Sequence, residues 1–525
     1  MHLKDFNLNK KDSYFLGAII ILGLILSIYY IDFNMKLGIY CSDIYVYLLN
    51  ALYFTGTNIN STHTISLSPV ICFLTSVFFY FGFKNQIAIL IISAIFAILG
   101  NIGFYLLLKQ RFNEILSFCG VVIYSTSAIY LTWFANGSVD ISAVSITIWI
   151  VLFTLISVKN NPKYYQILIP TIVIGFFTRY TVILILPVLA LYYLYRKGFK
   201  IENNDLKYIL RGILFGLFIS AIIIIPIMIM GNGYLGANAQ ISSGMIGRKG
   251  SATDLAYNTD ISYYLVNFIN FISATKISFA NRTPVLENPN IQSYIILTIL
   301  TIGSLLFVIK NKFELKKYKI IGFAILLASL LSFNHISSFI TILLVFLGLL
   351  LLGKDSDNKT GTVMLSWILV YFIFFSYFSI KVNRYIIPTI PPLVYLILSS
   401  IELIHEKIKL NNNIIPIILI ILFLLQGFTL CFAFEDTNQF IAPQEMSDYI
   451  KSEIPDYENQ TIGVYNMRPY HWYLGENVTG IESNNTTEIE NANIAYYISD
   501  IPKNDLDNFR ELKSIDKLYL YEKSI

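Results

Sequence analysis

Residues 67–83 read LSPVICFLTSVFFYFGF, and the way this run meets the membrane sets the topology of the whole chain. Its 17 residues lie at the lower limit for a helix that crosses the hydrocarbon core, which needs about 20. Ser66, Ser68 and Pro69 at its start suit an interfacial helix better than a deep one. We expect the run to lie in, or dip into, the outer interface. In the alternative, it crosses and one later hairpin fails to cross.

The rest of the chain is too apolar for a soluble protein. Of its 525 residues, 55% are hydrophobic and 13% are charged, against roughly 25% charged in soluble domains. The first apolar run lacks a small-residue cleavage site, so we interpret it as an uncleaved signal anchor. Thirteen segments fit membrane spans: residues 14–31, 87–108, 115–133, 142–158, 164–178, 181–195, 209–230, 291–309, 320–334, 336–353, 361–379, 386–404 and 413–434.

Short basic clusters separate these spans and indicate orientation. If residues 67–83 do not cross, the clusters fall on one side: Lys109 and Arg111, Lys159 and Lys163, residues 196–211, residues 310–319, Lys354 and Lys359, and Lys407 and Lys409. By the positive-inside rule that side is the cytosol, so the N-terminus is cytosolic and residues 435–525 lie outside. Basic residues bunched in this way do not form a nucleic-acid-binding patch, so no nucleic-acid partner is expected.

Asn-x-Ser/Thr sequons give a partly independent check on this orientation, because they mark exposed external segments. Seven sequons fall outside, at Asn60, Asn136, Asn281, Asn459, Asn477, Asn484 and Asn485. The exception is Asn358, in a loop predicted to be cytosolic.

Three long segments are predicted on the outer side: a first loop at residues 32–86, a second at residues 231–290, and the polar tail at residues 435–525. The second loop and the tail are long enough to fold. In the tail, Pro443 opens a predicted helix that runs to Ile454. Strand-like runs follow at residues 461–465, 494–498 and 518–521, with a helix predicted over residues 504–512. The sequence therefore predicts a transmembrane domain over residues 1–434 and a small α/β domain resting on the membrane.

Two carboxylates stand out because ionisable groups near membrane depth are costly and usually functional or paired. Asp43 lies in CSDIYVY at the start of an interfacial helix, which Ser42 or Asp43 could cap. Asp43 is also a candidate general base or metal ligand in a partly dry cleft. Asp140, in NGSVD at the outer mouth of a span, faces the same compartment and is a second catalytic candidate.

Three cations are placed at the same outer surface, where the positive-inside rule leaves few. Arg179 lies in the TRYT hairpin, and Lys381 and Arg384 lie in KVNRY. These side chains either extend to lipid headgroups or hold a lipid phosphate, for which the planar guanidinium is well suited. No cofactor is indicated with certainty: the five histidines lack ligand spacing, and a divalent metal at Asp43 is the one option left open.

The order of three short segments resembles the GT-C superfamily of polyprenyl-phosphate-sugar-dependent glycosyltransferases. The similarity is to the branch that contains protein O-mannosyltransferases and the lipid A aminoarabinose transferase. The segments are Ser42-Asp43-Ile44-Tyr45 with Leu67-Ser68-Pro69-Val70, then Asp140 with GFFTRYT at residues 175–181 and Pro187, and finally RYIIPTIPP at residues 384–392. In layout the resemblance covers residues 14 to about 402.

The resemblance implies an all-α, polytopic GT-C membrane fold and an enzyme that moves a sugar from a polyprenyl- or dolichyl-phosphate to a protein, glycan or lipid acceptor outside. It implies that Asp43 is the base and that Arg384, Arg179 and Lys381 hold the phosphate. Family members often have Asp-Glu where Asp43-Ile44 stands here, which puts metal binding in question. Some place a lysine where Ser68 stands, so phosphate binding would need another cation.

Two rival functions remain open at this point. A transporter or flippase of a lipid-linked saccharide would also have many spans and few charges. Such proteins usually show internal repeats or broken spans at the midplane, and this sequence has no convincing repeat. An inactive homologue that binds a partner through its outer tail is the other.

Overall fold

The computed structural model of the protein describes residues 6, 8–57, 67–159, 161–229, 257–280, 283–310, 316–333, 335–354, 359–408, 411–481, 485–503 and 505–524. Most of these residues are helical. The helices that precede the C-terminal region are α1 Asp12–Leu37, α2 Asp43–Phe54, α3 Pro69–Tyr80, α4 Ile87–Leu108, α5 Glu114–Ser125, α6 Ala128–Thr132, α7 Val139–Lys159, α8 Tyr165–Thr178, α9 Leu186–Lys197, α10 Asn203–Ile229, α11 Tyr263–Val266, α12 Phe268–Ile272, α13 Ile291–Lys310, α14 Lys317–Leu331, α15 Ser338–Leu352, α16 Lys359–Tyr377, α17 Ile390–Ile408 and α18 Ile414–Leu430.

The protein is a multi-pass membrane protein. In the described ranges, eight helices are long and apolar enough to cross a membrane, counting the 3₁₀ segments Tyr180–Ile185 and Asn383–Thr389 with α9 and α17. Each of the thirteen predicted spans contains a helix, but α5, α8, α14, α15 and α18 are shorter than 18 residues. The number of crossings therefore stays a prediction.

The two helices of the first outer loop are short. Helices α2 and α3 have 12 residues each, which at 1.5 Å per residue makes them about 18 Å long, against about 30 Å for the hydrocarbon core. Pro69 occupies the first turn of α3, where its missing N–H costs nothing. Between the start of α1 and the end of α4, Lys109 Nζ lies 3.2 Å from Asp12 Oδ1, so α4 ends on the side where α1 begins.

The predicted span over residues 115–133 is broken. Helix α5 ends at Ser125 and α6 begins at Ala128, so carbonyls at the break lose their helical partners. Buried Gln426 of α18 donates from Nε2 to Thr126 O at 2.8 Å and to Ile272 O at 2.9 Å. Because free backbone groups are costly in a membrane, this one amide stabilises the break and joins three helices there.

Helices α4 and α7 approach closely because small residues line their contact. A Cβ built on Gly100 would lie 2.2 Å from Ser145 Oγ, and one on Gly103 would lie 2.8 Å from the Trp149 ring. Trp149 Nε1 donates to Leu99 O at 3.0 Å. Small residues and such polar contacts are what hold helices together in lipid, where the hydrophobic effect supplies little.

The described part of the second outer loop ends in a hairpin of β1 Lys276–Ala280 and β2 Thr283–Glu287. Strand β1 also binds the segment that follows α18: Ile277 N donates to Ala433 O at 2.8 Å and Glu435 N donates to Ile277 O at 2.7 Å. This pairing ties the loop to the start of the C-terminal region.

The C-terminal region is a small mixed α/β unit with its own apolar core around Met446, Ile462 and Leu520. Its elements are α19 Ala442–Glu453, β3 Ile462–Val464, α20 Met467–Leu474, β4 Val478–Gly480, α21 Thr486–Asn491, β5 Tyr496–Ser499, β6 Phe509–Ile515 and β7 Leu518–Lys523. The sheet order is β4-β3-β5-β7-β6, parallel among the first three strands and antiparallel afterwards.

One expectation for this region was wrong. The predicted helix over residues 504–512 is not present in the described residues 505–512, because residues 509–515 are strand β6. The β6–β7 turn contains Asp516, whose φ of 51° places it in the left-handed region that hairpin turns use. Since β6 is an edge strand and largely exposed, it lacks the apolar alternation that would have identified it. The helix from Pro443 and the three predicted strands are present.

The sequons do not all mark exposed segments. Asn136 is buried, and its Nδ2 donates to Tyr40 Oη at 2.9 Å. Asn477 Nδ2 donates to Tyr457 O and Gln460 O. Asn60, Asn281, Asn358 and Asn484 lie outside the described residues.

The two ends of α1 offer a matched test of buried against exposed ion pairs. Asp12 is buried and accepts from Tyr105 Oη at 2.5 Å as well as pairing with Lys109, whereas Asp32 pairs with Lys36 in solvent. We predict that Asp12→Asn lowers stability by about 3 kcal/mol, since it leaves the buried Lys109 ammonium with only its longer contact to Glu114, at 3.6 Å. Asp32→Asn should cost less than about 1 kcal/mol. Thermal unfolding in detergent measures both, and equal midpoints would contradict the role of Asp12.

Candidate active site

Four of the five candidate residues, Asp43, Asp140, Arg179 and Arg384, line one cavity of about 1030 Å³. Its wall comes from the starts of α2 and α7, the end of α16, segment 383–389 and the C-terminal region. The lining also includes many aromatic side chains: Tyr40, Tyr45, Tyr47, Trp133, Phe374, Phe375, Phe378, Tyr385, Phe440 and Tyr465. The cavity thus combines a charged centre with an apolar, aromatic wall.

A tight turn before α7 places Asp140. Ala135 and Gly137 have φ values of 48° and 87°, and a Cβ at Gly137 would lie 3.2 Å from Ile44, so the turn suits glycine there. Ser138 N donates to Asn136 Oδ1 at 2.9 Å. The buried Asp140 carboxylate therefore sits in the first turn of α7, where the partial positive charge of the helix end stabilises it.

Asp43 is the first residue of α2, but it does not serve as a cap. The Ser42 side chain makes no capping hydrogen bond, and Ser42 Oγ instead accepts from Arg468 Nη1 at 3.3 Å. Asp43 Oδ2 lies 2.7 Å from Arg384 Nη2. A third of the Asp43 side chain stays exposed, because it faces the cavity.

Arg384 joins the two carboxylates. Besides Asp43, its Nη1 lies 3.6 Å from Asp140 Oδ2 and donates to Cys41 Sγ at 2.9 Å. Its guanidinium lies over the Trp133 ring, 5.3 Å from the centroid, so aromatic and ionic contacts both stabilise the charge. Asn383 anchors the segment by donating to Pro284 O at 2.7 Å.

Arg179 approaches Asp140 from the other side. It ends α8 in an extended conformation, with φ of −159°, and its Nη1 pairs directly with Asp140 Oδ1. Its Nε donates to Thr181 Oγ1 at 3.0 Å, and its guanidinium lies 5.2 Å from the centroid of the Tyr385 ring. Asp140 is thus held between Arg179 and Arg384.

Opposing effects act on the Asp43 carboxyl. Burial alone would raise its pKa, but Arg384, and more weakly Arg468 and Arg179, outweigh burial and hold the pKa below its ordinary value. Asp43 is therefore ionised at neutral pH and able to accept a proton.

Lys381 is arranged differently from the two arginines. It is buried, and its ammonium donates to the carbonyls of Phe375, Ser376 and Phe378 at 3.1, 2.6 and 2.5 Å. These are carbonyls at and beyond the end of α16, which a cation caps well. Lys381 does not line the cavity, so to contact a phosphate there it would have to leave these carbonyls.

The residues around Asp43 do not fit a divalent metal. Within the described ranges, no group of three or more His, Cys, Asp or Glu side chains could hold one. Arg384 occupies the position between Asp43 and Asp140 that a cation bound by both would take.

Sequence reasoning missed two charged residues of the cavity lining: Asp500, which follows β5, and Arg468 of α20. Its Nη1 lies 3.8 Å from Asp43 Oδ1. The only signal for it was the aromatic sequence MRPYHWYL of α20 in an otherwise polar tail. Trp133 and Tyr385, which contact the arginines, were likewise not singled out as site residues.

Comparison with solved structures shows which fold this geometry belongs to. ArnT from Cupriavidus metallidurans bound to undecaprenyl phosphate matches with a TM-score of 0.61 at 10% identity, over 96% of this chain and 97% of that chain. The chain has a GT-C fold. The apo state of ArnT gives a TM-score of 0.57 at 10% identity, over 97% of this chain and 98% of that one.

Other matches are weaker or partial. The Archaeoglobus fulgidus oligosaccharyltransferase matches with a TM-score of 0.49 at 13% identity, over 93% of this chain and 69% of that chain. Residues 66–228 match the family model for dolichyl-phosphate-mannose-protein mannosyltransferase. No curated protein sequence matches. Because the ArnT match spans both chains nearly end to end, the GT-C fold includes the C-terminal region, and the predicted fold class is confirmed.

Arg384 should be structurally coupled to Asp43. We predict that Arg384→Met lowers stability by about 3–5 kcal/mol, because it leaves Asp43 and Asp140 under-compensated in the cavity. Adding Asp43→Asn should restore part of the loss. Thermal unfolding of both single variants and the double variant measures the coupling, with Arg510→Met on the exposed β6 as control. Strictly additive effects would contradict the coupling.

Proposed function

We propose that the protein is a glycosyltransferase that moves a sugar from a polyprenyl- or dolichyl-phosphate to an acceptor on the outer face of the membrane. The observation that carries this proposal is the convergence of Asp43, Asp140, Arg179 and Arg384 in one cavity with an aromatic wall. An anionic, lipid-borne donor needs cations for its phosphate and apolar surface for its chain, and this cavity offers both.

The comparisons support the same donor class. The ArnT structure with this fold was determined with undecaprenyl phosphate bound, and the matching family model is named for a dolichyl-phosphate-linked sugar. The transferred group is a hexosyl or pentosyl unit, and the acceptor is a protein, a glycan or a lipid.

In the proposed reaction, the oxygen of the acceptor hydroxyl attacks C1 of the sugar, and Asp43 takes the proton of that hydroxyl. The bond between C1 and the phosphate oxygen breaks, and its electron pair leaves with the polyprenyl phosphate. Arg384 and Arg179 stabilise the charge that grows on that phosphate, as guanidinium groups do in paired contacts. Asp140 acts by holding the two arginines in position, and no step uses a metal.

The test is transfer by Asp43→Asn. We predict a rate about 10²–10⁴-fold below wild type, the usual contribution of a general base, with expression unchanged. Membranes are incubated with labelled polyprenyl-phosphate-linked hexoses and pentoses, and the label is followed into protein, glycan and lipid fractions. Asp32→Asn, at the exposed end of α1, is the control. A near wild-type rate for Asp43→Asn would eliminate the base role, and movement of the intact lipid-linked sugar across the bilayer without transfer would favour a flippase.

The proposal also requires that the C-terminal region faces outward and the N-terminus faces the cytosol. The four native cysteines are free, and three of them are buried, so the unmodified chain gives the labelling background. A membrane-impermeant maleimide applied to intact cells should label Ser514→Cys, on exposed β6, and should spare Ser13→Cys, at the start of α1. The reverse pattern would overturn the orientation and with it the side of the reaction.

A further inference from the structure

Helix α20 of the C-terminal region docks on the first outer loop. The Trp472 ring stacks on Phe79 of α3 at 5.8 Å, and Tyr473 Oη donates to Gln86 Oε1 at 2.8 Å. The Tyr473 ring also meets Tyr45 of α2 edge-on at 5.9 Å. Together these contacts hold α20 above α2 and α3.

The same helix is tied to the sheet of its own region. Gly475, with φ of 93°, ends the helix, and His471 Nε2 lies 2.9 Å from Val478 O of β4. A Cβ at Gly480 would lie 2.7 Å from Met467 Sδ, so the first turn of α20 is pressed against β4. The backbone of α20 is therefore positioned by both parts of the molecule.

Arg468 extends from the first turn of α20 into the cavity. It contacts only the edge of the charged centre, with Nη1 3.3 Å from Ser42 Oγ and 3.8 Å from Asp43 Oδ1. Its side chain is 42% exposed, whereas that of Arg384 is 12% exposed. An ion pair this long and open contributes at most about 1 kcal/mol, so exchanging Asp43 for another anion costs little.

In the described part of the cavity lining, the cations are Arg179, Arg384 and Arg468. The cavity lining contributed by the described start of α3 and the residues before it is Leu67 and Ser68, which are uncharged. Arg179 and Arg384 each hold an ion pair, with Asp140 and Asp43, so only part of each guanidinium is left for the donor phosphate. Of the three arginines in the described lining, Arg468 is the one whose guanidinium is most available to an incoming anion.

We propose that Arg468 releases Asp43 and binds the phosphate of the lipid-linked donor in its place. The C-terminal region then completes the donor site of residues 1–434. This inference rests on the proposed function for the identity of the donor. It also makes the base depend on the donor: once the phosphate takes Arg468, Asp43 keeps Arg384 as its close partner and accepts a proton more readily.

The exchange predicts a change in pH dependence. The groups that face Asp43 are Arg384, Arg468, Arg179, the Cys41 thiol and the Tyr47 hydroxyl. Arg468 lowers the pKa of Asp43, so removing it raises that pKa. Because the base acts when ionised, kcat/KM falls as pH drops through this pKa, and in Arg468→Gln the fall begins at a higher pH than in wild type.

Binding of undecaprenyl phosphate to the purified full-length protein tests the contact without requiring turnover. We expect Arg468→Gln to weaken binding about ten-fold or more, as loss of a charge-assisted hydrogen bond does, and Arg468→Lys to recover part of it. Arg510→Gln, a charge change on β6 of the same region, should bind like wild type. Without ligand, the thermal midpoints of all three variants should match wild type.

Two further arms separate the sources of phosphate and the two proposals. If inorganic phosphate displaces undecaprenyl phosphate from wild type but not from Arg468→Gln, Arg468 binds the phosphate group alone. If inorganic phosphate does not compete in wild type, Arg468 binds the phosphate only when a lipid carries it. Either result supports the contact between Arg468 and the donor phosphate. Wild-type affinity of Arg468→Gln for undecaprenyl phosphate would overturn it. Tight binding of undecaprenyl phosphate by wild type without any sugar transfer would overturn the proposed function and leave the Arg468 contact standing. Sugar transfer with an unchanged donor KM in Arg468→Gln would overturn the contact and leave the proposed function standing.

Discussion

The guanidinium of Arg384, shared between Asp43 and Asp140, is the interaction on which the rest of the structure depends. It brings together the start of α2, the first turn of α7 and segment 383–389. Charges at this depth are costly unless they are paired and hydrogen-bonded, so the elements that carry them must be placed accurately. The tight turn before α7 and the bond from Asn383 to Pro284 supply that placement.

Much of the membrane fold could be predicted because a bilayer allows few solutions. Backbone groups in lipid must be paired within a helix, so long apolar runs between basic clusters predicted each of the eight described helices that are long and apolar enough to cross. The break at Thr126 could not be predicted, because its stability depends on Gln426, 300 residues later in the chain. Strand β6 could not be predicted for the same reason. An edge strand is stabilised by pairing with its neighbour rather than by an apolar pattern, and the pairing of β6 with β7 appears only in the folded sheet.

The site shows the same division. Asp43, Asp140, Arg179 and Arg384, which meet in one cavity, could be chosen as candidates because a charge beside an apolar span is unusual enough to be noticed. Lys381 met the same criterion, yet its ammonium caps α16. The sequence does not distinguish a cation near a phosphate from one near helical carbonyls. Arg468 does not meet this criterion, because it lies in a polar tail, where an arginine is ordinary. Only the docking of α20 brings it to the cavity.

The first outer loop connects these observations. Helices α2 and α3 lie between the longer helices and the C-terminal region and contact both. One side of α2 presents Asp43 to Arg384, and the same segment, through Ser42 and Tyr45, receives Arg468 and Tyr473 of α20. A shift of α2 would therefore change the ionic pairing of Asp43 and the seating of α20 together. The run at residues 67–83, on which the predicted topology depends, thus lies in the same loop that couples the C-terminal region to the charged centre.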